Sequence, residues 1–371
     1  MKVEPTDERA SKRTRRDAES EPNVNPVRSA DLRLWLDDGN LILQAHSGAR
    51  SVLYKVHKST LRLNSAFFRT LFDDSRDALD AGFDIYGGLP VFKMADDAED
   101  VKLFLEALYF PATTQSHLTQ LQTVGRVYRF PESYAPILRL ATKYDCSILR
   151  ETVSTVLRME WPSTLLEHDK LVKTLITLTE AKAMANKWSD YTSTLREHSP
   201  SIIRLAHDCN VPDVLPACYY EVVCALEVGD VDLSDLTADE LTNVINGRRR
   251  LRDWFFIRTT ERLDRLKQPK PTCARAMRGA SAWPCQPVLE KLWSGCFPKS
   301  MKDACRAFFP LRFLDVRYHA VEGNVGVCPA CLAWLLAAVQ DIRQDIWQKM
   351  PNFFGLESLV PLDWGKHEHT T

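Results

Sequence analysis

The stretch from Val52 to Phe72, VLYKVHKSTLRLNSAFFRTLF, constrains the fold of this chain more than any other. A half-buried strand is predicted first, because apolar side chains alternate at Val52, Tyr54 and Val56. The period changes after His57, and a helix that Ser59 or Thr60 would cap is predicted with one apolar face made of Leu61, Phe68, Leu71 and Phe72. An aromatic pair on such a face requires a large apolar groove that receives it.

Two alternating runs precede this stretch. The first contains Leu32, Leu34 and Leu36, and the second contains Leu41, Leu43 and Ala45. Asp38-Gly39 lies between them and predicts a hairpin turn, while Gly48 predicts a turn into the next strand. Three short strands that lead into a helix are typical of an α+β domain.

The chain downstream continues this mixture. Short strands are predicted on both sides of Gly87-Gly88, and Asp96 or Asp97 is placed to cap the next helix. That helix has an apolar stripe made of Val101, Phe104, Leu105 and Leu108. Two further stripes, one from Ile137 to Tyr144 and one from Leu149 to Val156, predict two more helices that each pack on a neighbour.

Six segments in this order resemble the BTB/POZ domain, in the version abundant in filamentous and mushroom-forming fungi. They are Asp38-Gly39-Asn40-Leu41-Ile42-Leu43, Tyr54-Lys55-Val56-His57-Lys58-Ser59, Phe67-Phe68-Arg69-Thr70-Leu71-Phe72, Asp96-Asp97-Ala98-Glu99-Asp100-Val101, Leu105-Glu106-Ala107-Leu108-Tyr109 and Leu138-Arg139-Leu140-Ala141-Thr142-Lys143-Tyr144. The resemblance covers residues 31–161. It implies a small, mainly antiparallel sheet capped by helices.

The same resemblance implies roles for individual residues. Structural roles are expected for the signature residues Asp38, Gly39, His57, Phe68, Phe72 and Tyr144. BTB domains generally self-associate, so we expect a homodimer whose interface draws on Leu32, Leu34, Leu36 and Phe67. Such a dimer would be isologous, with the same patch on each subunit.

Composition narrows the class of protein. The chain has 371 residues, is 45% hydrophobic and carries a formal net charge of −1, which argues against a main role in coating nucleic acid. No apolar run is long enough for a transmembrane helix, and the polar N-terminus does not resemble a secretory signal. We therefore expect a cytoplasmic or nuclear protein whose ten cysteines are free thiols or metal ligands.

Residues 1–30 contain three prolines, many charged side chains and few apolar ones, which predicts a disordered arm. The basic residues Lys12, Arg13, Arg15 and Arg16 lie within it. Such a cluster suggests a nuclear import signal, and the alternative is a solvated run of charge.

Residues 162–267 predict a helical extension, like the one that follows many BTB domains. Its last part, from Arg248 to Lys267, has eight basic and three acidic residues, with Trp254, Phe255 and Phe256 among them. This composition occurs on nucleic-acid surfaces. The helical period favours a different interpretation, in which the aromatic rings pack inward and the arginines form the solvent-exposed face of the helix.

Residues 268–371 predict a helical region that contains cysteines. Cys328-Pro329-Ala330-Cys331 has the C-x-x-C spacing that lets two thiolates reach one tetrahedral metal ion. Cys273 and Cys285 are candidates for the other two ligands, with Cys305 or His319 as substitutes. The sequence therefore predicts structural zinc, against the alternatives of buried apolar thiols and a redox pair.

The chain carries no motif for an activated nucleophile, a phosphate loop, a catalytic zinc site or a dinucleotide. We expect no enzyme, no small-molecule substrate and no membrane association. The resemblance implies recruitment of protein partners, including a cullin if the chain is a ubiquitin-ligase substrate adaptor. The alternative is a nuclear, transcription-associated BTB factor, based on the basic cluster and the cysteines.

Overall fold

The computed structural model of the chain describes residues 26–74, 84–111, 130, 133–182, 189–228, 231–266, 273–275, 283–296, 310–311 and 326–366. The described part is an α+β structure. Its strands are β1 (Val27–Arg28), β2 (Leu41–Ser47), β3 (Arg50–Val56), β4 (Asp84–Tyr86) and β5 (Leu89–Asp97). Its helices are α1 (Lys58–Asn64), α2 (Ala66–Asp74), α3 (Ala98–Tyr109), α4 (Tyr134–Lys143), α5 (Ser147–Glu160), α6 (Leu165–Lys182), α7 (Ser189–Asp208), α8 (Leu215–Val228), α9 (Ala238–Leu266), α10 (Gln286–Cys296) and α11 (Pro329–Phe354).

The five strands form one sheet in the order β1-β3-β2-β5-β4. β2 and β3 form an antiparallel hairpin that turns at Gly48, as predicted, and places Leu41 opposite Val56. β4 and β5 are also antiparallel, whereas β1 pairs with β3, and β2 with β5, in parallel. Two of the four pairings are therefore parallel, so the sheet is mixed rather than mainly antiparallel as expected.

The start of the sheet differs from the prediction. The run from Leu32 to Leu36 is not a strand, because Leu32–Leu34 forms a short 3-10 helix. The carboxylate of Asp31 accepts the backbone N–H of Arg33 at 3.0 Å, which favours this local turn. The edge position belongs to β1, which lies within the segment predicted to be a disordered arm. The predicted hairpin around Asp38-Gly39 was therefore wrong.

The predicted helix after His57 is two helices, because the chain is extended at Ser65. The hydroxyl of Ser65 donates to the carbonyl of Tyr144 at 2.5 Å and accepts the N–H of Phe68 at 3.0 Å. These two bonds stabilise the break and start α2. The residue that precedes α1 is His57 rather than Ser59 or Thr60, so the predicted cap was misplaced.

Other predicted elements are confirmed. β4 and β5 flank Gly87-Gly88, and both glycines have positive φ. Asp97 caps α3, since its side chain accepts the N–H of Glu99 at 2.8 Å. The predicted stripe of α3 is buried, from Val101 to Leu108.

Buried apolar side chains form two main clusters. The first, here called the sheet core, runs from Leu34 to Cys146 and lies between the sheet and α1–α4. The second, here called the helical core, begins at Ala107 and continues to Trp364. It includes side chains of α4 and α5 together with those of α8, α9, α10 and α11, so it passes through both predicted boundaries, after residues 161 and 267.

Candidate metal centre

Three separate segments place the four predicted cysteine ligands. Cys273 lies in a short turn after α9, and Cys285 lies directly before α10. Cys328 is the residue that caps α11, with Pro329 in the first helical position, and Cys331 lies in the first turn. The C-x-x-C spacing therefore places both sulfurs at the start of one helix.

The four sulfur atoms lie within 4.8 Å of one another, and all four side chains are buried. The sulfur of Cys273 is 3.7 Å from that of Cys285 and 4.0 Å from that of Cys328. With Zn–S bonds of about 2.3 Å, the sulfurs of a tetrahedral site are about 3.8 Å apart. The prediction that these four residues come together is confirmed.

Each sulfur also faces an N–H group. The backbone N–H of Cys328 donates to the sulfur of Cys285 at 3.4 Å, and the indole Nε1–H of Trp283 donates to that of Cys331 at 3.3 Å. The backbone N–H of Arg275 donates to Cys273, and Cys328 accepts from the backbone of Ala274 and Cys331. Donors aimed at every sulfur stabilise negative charge there.

The thiol pKa values divide the four cysteines into two pairs, one with lowered and one with raised values. Burial raises the pKa of Cys328, but the N–H groups of Cys331 and Ala274 outweigh burial and hold this pKa at about 6. For Cys273, burial is likewise outweighed, chiefly by the N–H of Arg275, and the pKa is lowered. Burial and the neighbouring sulfurs raise the pKa of Cys331 to about 12 and also raise that of Cys285.

The cluster can therefore hold a metal ion. Four buried sulfur ligands suit a thiophilic ion with tetrahedral geometry, such as zinc. The charge of a tetrathiolate complex would be offset by the N–H donors and by the N-termini of α10 and α11, where the helix dipoles favour negative charge.

Three of the six predicted BTB signature residues, Phe68, Phe72 and Tyr144, pack together at the sheet core. Phe68 is fully buried and stacks between Phe72 and Tyr144, with ring centroids 5.8 Å and 5.2 Å away. Gly39 is also buried, and an added Cβ would lie 2.9 Å from the side chain of Lys55. The aromatic residues therefore contribute to core packing, and Gly39 allows the chain to pass close to Lys55.

His57 has a structural environment. Its Nε2 is 2.9 Å from the carboxylate of Asp38, and its backbone N–H donates to the hydroxyl of Tyr109 at 2.8 Å. Its ring Nδ1 lies 3.4 Å from the same hydroxyl. The ring therefore contacts the side chains of Asp38 and Tyr109.

The predicted interface residues fall into different environments. Leu34 is fully buried in the sheet core, so it offers no surface to a partner and its assignment was wrong. Leu36 is partly buried, whereas 40% of Phe67 is exposed. The side chain of Leu32 lies outside the described part.

Three arginines in the basic stretch of α9 are paired with acidic residues. Arg248 and Arg252 both contact the buried carboxylate of Glu227, at 2.7 Å and 2.5 Å. Arg258 is 3.2 Å from Asp345, and Phe255 is buried in the helical core. These contacts support the interpretation of an ordinary amphipathic helix.

Several predicted residues lie outside the described part of the chain. They are the import cluster Lys12, Arg13, Arg15 and Arg16, and the substitute ligands Cys305 and His319. Among the described helices, none is both long and apolar enough to cross a membrane.

One participant in the site was missed. Trp283 belongs to the tripeptide Trp283-Pro284-Cys285, within a segment that is otherwise polar and basic. A single large apolar residue so close to a candidate ligand was the available signal.

No protein-family model, curated protein or solved structure matches this chain.

Proposed function

We propose that this chain is a non-enzymatic protein-interaction protein of the BTB/POZ type, in which a structural zinc ion closes the helical core. The zinc part of this proposal rests on the group of four buried sulfurs that lie within 4.8 Å of one another. Four protein ligands complete a tetrahedral site and leave no open position for a substrate, which favours a structural role.

Two features support the zinc assignment over four neutral thiols. The sulfur separations of 3.7 Å and 4.0 Å are close to those of a tetrahedral zinc site, and N–H donors reach all four sulfurs. The ligands also come from three segments, so one ion would tie the end of α9 to the starts of α10 and α11.

The interaction half rests on the BTB resemblance and on apolar side chains that the fold leaves exposed. Leu63 on α1 is 79% exposed, Phe67 on α2 is 40% exposed and Ile148 on α5 is 79% exposed. The three helices meet here, because the N–H of Ala66 donates to the carbonyl of Asp145 just before α5. We assign this surface to a second copy of the chain.

The resemblance also implies recruitment of a further protein, for which a cullin is the first candidate. A ubiquitin-ligase adaptor would use the sheet region for assembly and the helical region for support. Binding of purified cullin to the purified dimer tests this extension separately from self-association.

Light scattering coupled to size exclusion, with zinc quantified by mass spectrometry in the same peak, tests both halves. We expect a dimer with one zinc ion per chain. Leu63→Asp should give a monomer that keeps zinc, whereas Leu362→Asp, at a leucine that is 92% exposed elsewhere, should remain dimeric. A monomeric wild-type protein would contradict self-association, and a dimer without zinc would contradict the metal centre.

A further inference from the structure

Trp283 differs from the other donors at the four-cysteine cluster. Its indole Nε1–H lies 3.3 Å from the sulfur of Cys331, and only 4% of the residue is exposed. The other N–H donors to these sulfurs in the described part of the chain are backbone groups, which nearly every residue type supplies. The Trp283 contact therefore depends on the identity of one side chain.

The ring of Trp283 is held in place from the helix that carries its acceptor. Trp334 on α11 contacts it edge to face, with centroids 6.3 Å apart and ring planes at 75°. Trp334 follows Cys331 by three residues, so the two side chains project from neighbouring positions on α11. Ligand, supporting ring and donor form one connected unit.

A donor to a metal-bound sulfur has two physical effects. It stabilises the negative charge that remains on the thiolate, and it fixes the direction of the sulfur lone pairs. A buried thiolate has no water to take over either role. Loss of this donor should therefore weaken retention of the metal without changing the four ligands.

We propose that Trp283 is a positioning residue of the metal centre, whose indole N–H orients the sulfur of Cys331 and so retains the bound zinc. This inference rests on the proposed zinc centre. It goes further because it assigns metal retention to a side chain outside the ligand set.

A bulky tryptophan also fills space, so the test must remove the N–H and keep the shape. Genetically encoded 3-benzothienylalanine at position 283 replaces the indole N–H by sulfur in a ring of nearly the same size. Trp283→Phe removes both donor and volume. The matched control is 3-benzothienylalanine at position 364, because the indole N–H of Trp364 donates to the backbone carbonyl of Asp213 rather than to a cysteine sulfur.

The full-length protein is loaded with zinc, and release to an excess of a chromogenic chelator is timed. We expect the variant at position 283, called the benzothienyl variant below, to release zinc about 10-fold faster or more than wild type, whereas the control at position 364 should change the rate by less than about 3-fold. In cobalt-loaded protein, the sulfur-to-cobalt charge-transfer band should shift in the benzothienyl variant, which packing alone would not cause.

The outcomes separate the inference from the proposal beneath it. A zinc-loaded wild type together with a benzothienyl variant of unchanged release rate and unchanged cobalt spectrum would overturn the role of Trp283 alone. A variant that folds by circular dichroism but retains no zinc would support the role in its strongest form. A wild-type protein that binds no zinc would overturn both.

Discussion

The sheet core and the helical core are held together over different distances along the chain. In the sheet core, β2 and β3 are neighbours in sequence and are joined by a two-residue turn. In the helical core, the indole of Trp347 donates to the carbonyl of Ser163, and that of Trp364 donates to the carbonyl of Asp213. These bonds join residues 184 and 151 positions apart.

The difference has an energetic consequence. Closing a long loop costs more chain entropy than closing a hairpin, although the increase is only logarithmic in loop length. The helical core must close several such loops, and its described helices pack with little shared backbone pairing. The four cysteines lie in the helical core, where the proposed zinc ion would join three distant segments.

The strongest way to separate the two cores is to remove the proposed zinc ion. Cys285→Ser takes away one of four ligands, and structural zinc contributes roughly 10–16 kcal/mol in zinc-finger peptides. We expect α10 and the start of α11 to lose protection from hydrogen exchange, with loss of zinc from the protein. Amides of β2, β3 and β5 should keep their protection, since the sheet core does not include the cluster.

The matched control is Cys209→Ala, at a cysteine that is equally buried in the helical core but lies outside the four-cysteine group. This variant should keep its zinc and the protection of α10. If chelation or Cys285→Ser exposed the sheet amides to the same extent, the two cores would be a single cooperative unit and the comparison would fail.

Phe68→Ala is expected to destabilise the sheet core rather than the helical core. Phe68 is fully buried among Phe72, Phe92 and Tyr144, so its removal should cost about 3–5 kcal/mol in the free energy of unfolding. The neighbouring Phe67→Ala should cost less than about 1 kcal/mol, because the ring is 40% exposed. Urea denaturation measures both, and equal costs would contradict the assigned faces of α2.

Elements of the sheet region were predictable where one local pattern decided them. Alternation identified β2 and β3, and the two glycines identified the turn between β4 and β5. The same rule failed at Leu32–Leu34, where a local hydrogen bond from the backbone N–H of Arg33 to the carboxylate of Asp31 competes with strand pairing. β1 has only two residues, too few for a period to be visible.

The candidate site was predictable for a different reason. Ligand chemistry restricts zinc to few residue types, and C-x-x-C spacing restricts them further, so four cysteines could be named without knowledge of the path between them. The donor Trp283 could not be deduced in this way, because its contact with Cys331 depends on how residues 48 positions apart approach each other. No periodicity encodes such an approach.

A smaller perturbation tests close packing inside the helical core. A Cβ added at Gly247 on α9 would overlap the ring of Phe354, which is fully buried and stacked on Tyr219. Alanine ordinarily stabilises a helix by about 1 kcal/mol relative to glycine, whereas overpacking costs about 1–3 kcal/mol. We expect Gly247→Ala to destabilise by about 1–2 kcal/mol net, read from thermal unfolding.

Gly48→Ala is the corresponding change in the sheet region, where nothing lies near the added Cβ but φ is +56°. Its cost should be about 1 kcal/mol and should come from the backbone alone. Larger aliphatic residues should therefore worsen the defect at Gly247 and leave that at Gly48 unchanged. A stabilised Gly247→Ala variant would show that the contact between α9 and α11 is looser than the structure indicates.

The smallest expected effect concerns a buried charge cluster in the helical core. The ring of His168 on α6 lies 4.8 Å from that of Trp347 at a tilt of 45°, and its nitrogens lie 3.7 Å from Asp169 and 3.8 Å from Glu221 on α8. Arg343 on α11 contacts Asp169 at 2.6 Å. The cluster is balanced in charge when His168 is protonated. Burial alone would lower the His168 pKa, but the two carboxylates outweigh burial and raise it.

A histidine whose pKa is higher in the folded than in the unfolded protein stabilises the fold. This contribution is fully present below the pKa of the unfolded state, about 6.5, and is lost as the pH rises through the pKa of the folded state. The difference in unfolding free energy between wild type and His168→Gln should therefore be about 1 kcal/mol near pH 6 and should shrink as the pH rises. His207 is the control of opposite sign, because burial lowers its pKa. Relative to His207→Gln, wild type should gain stability as the pH rises from the lowered folded pKa of His207 to about 6.5, which is below the range in which His168 loses its contribution. Urea denaturation at matched zinc saturation gives both slopes, and slopes of the same sign would show that His168 is held neutral in the helical core.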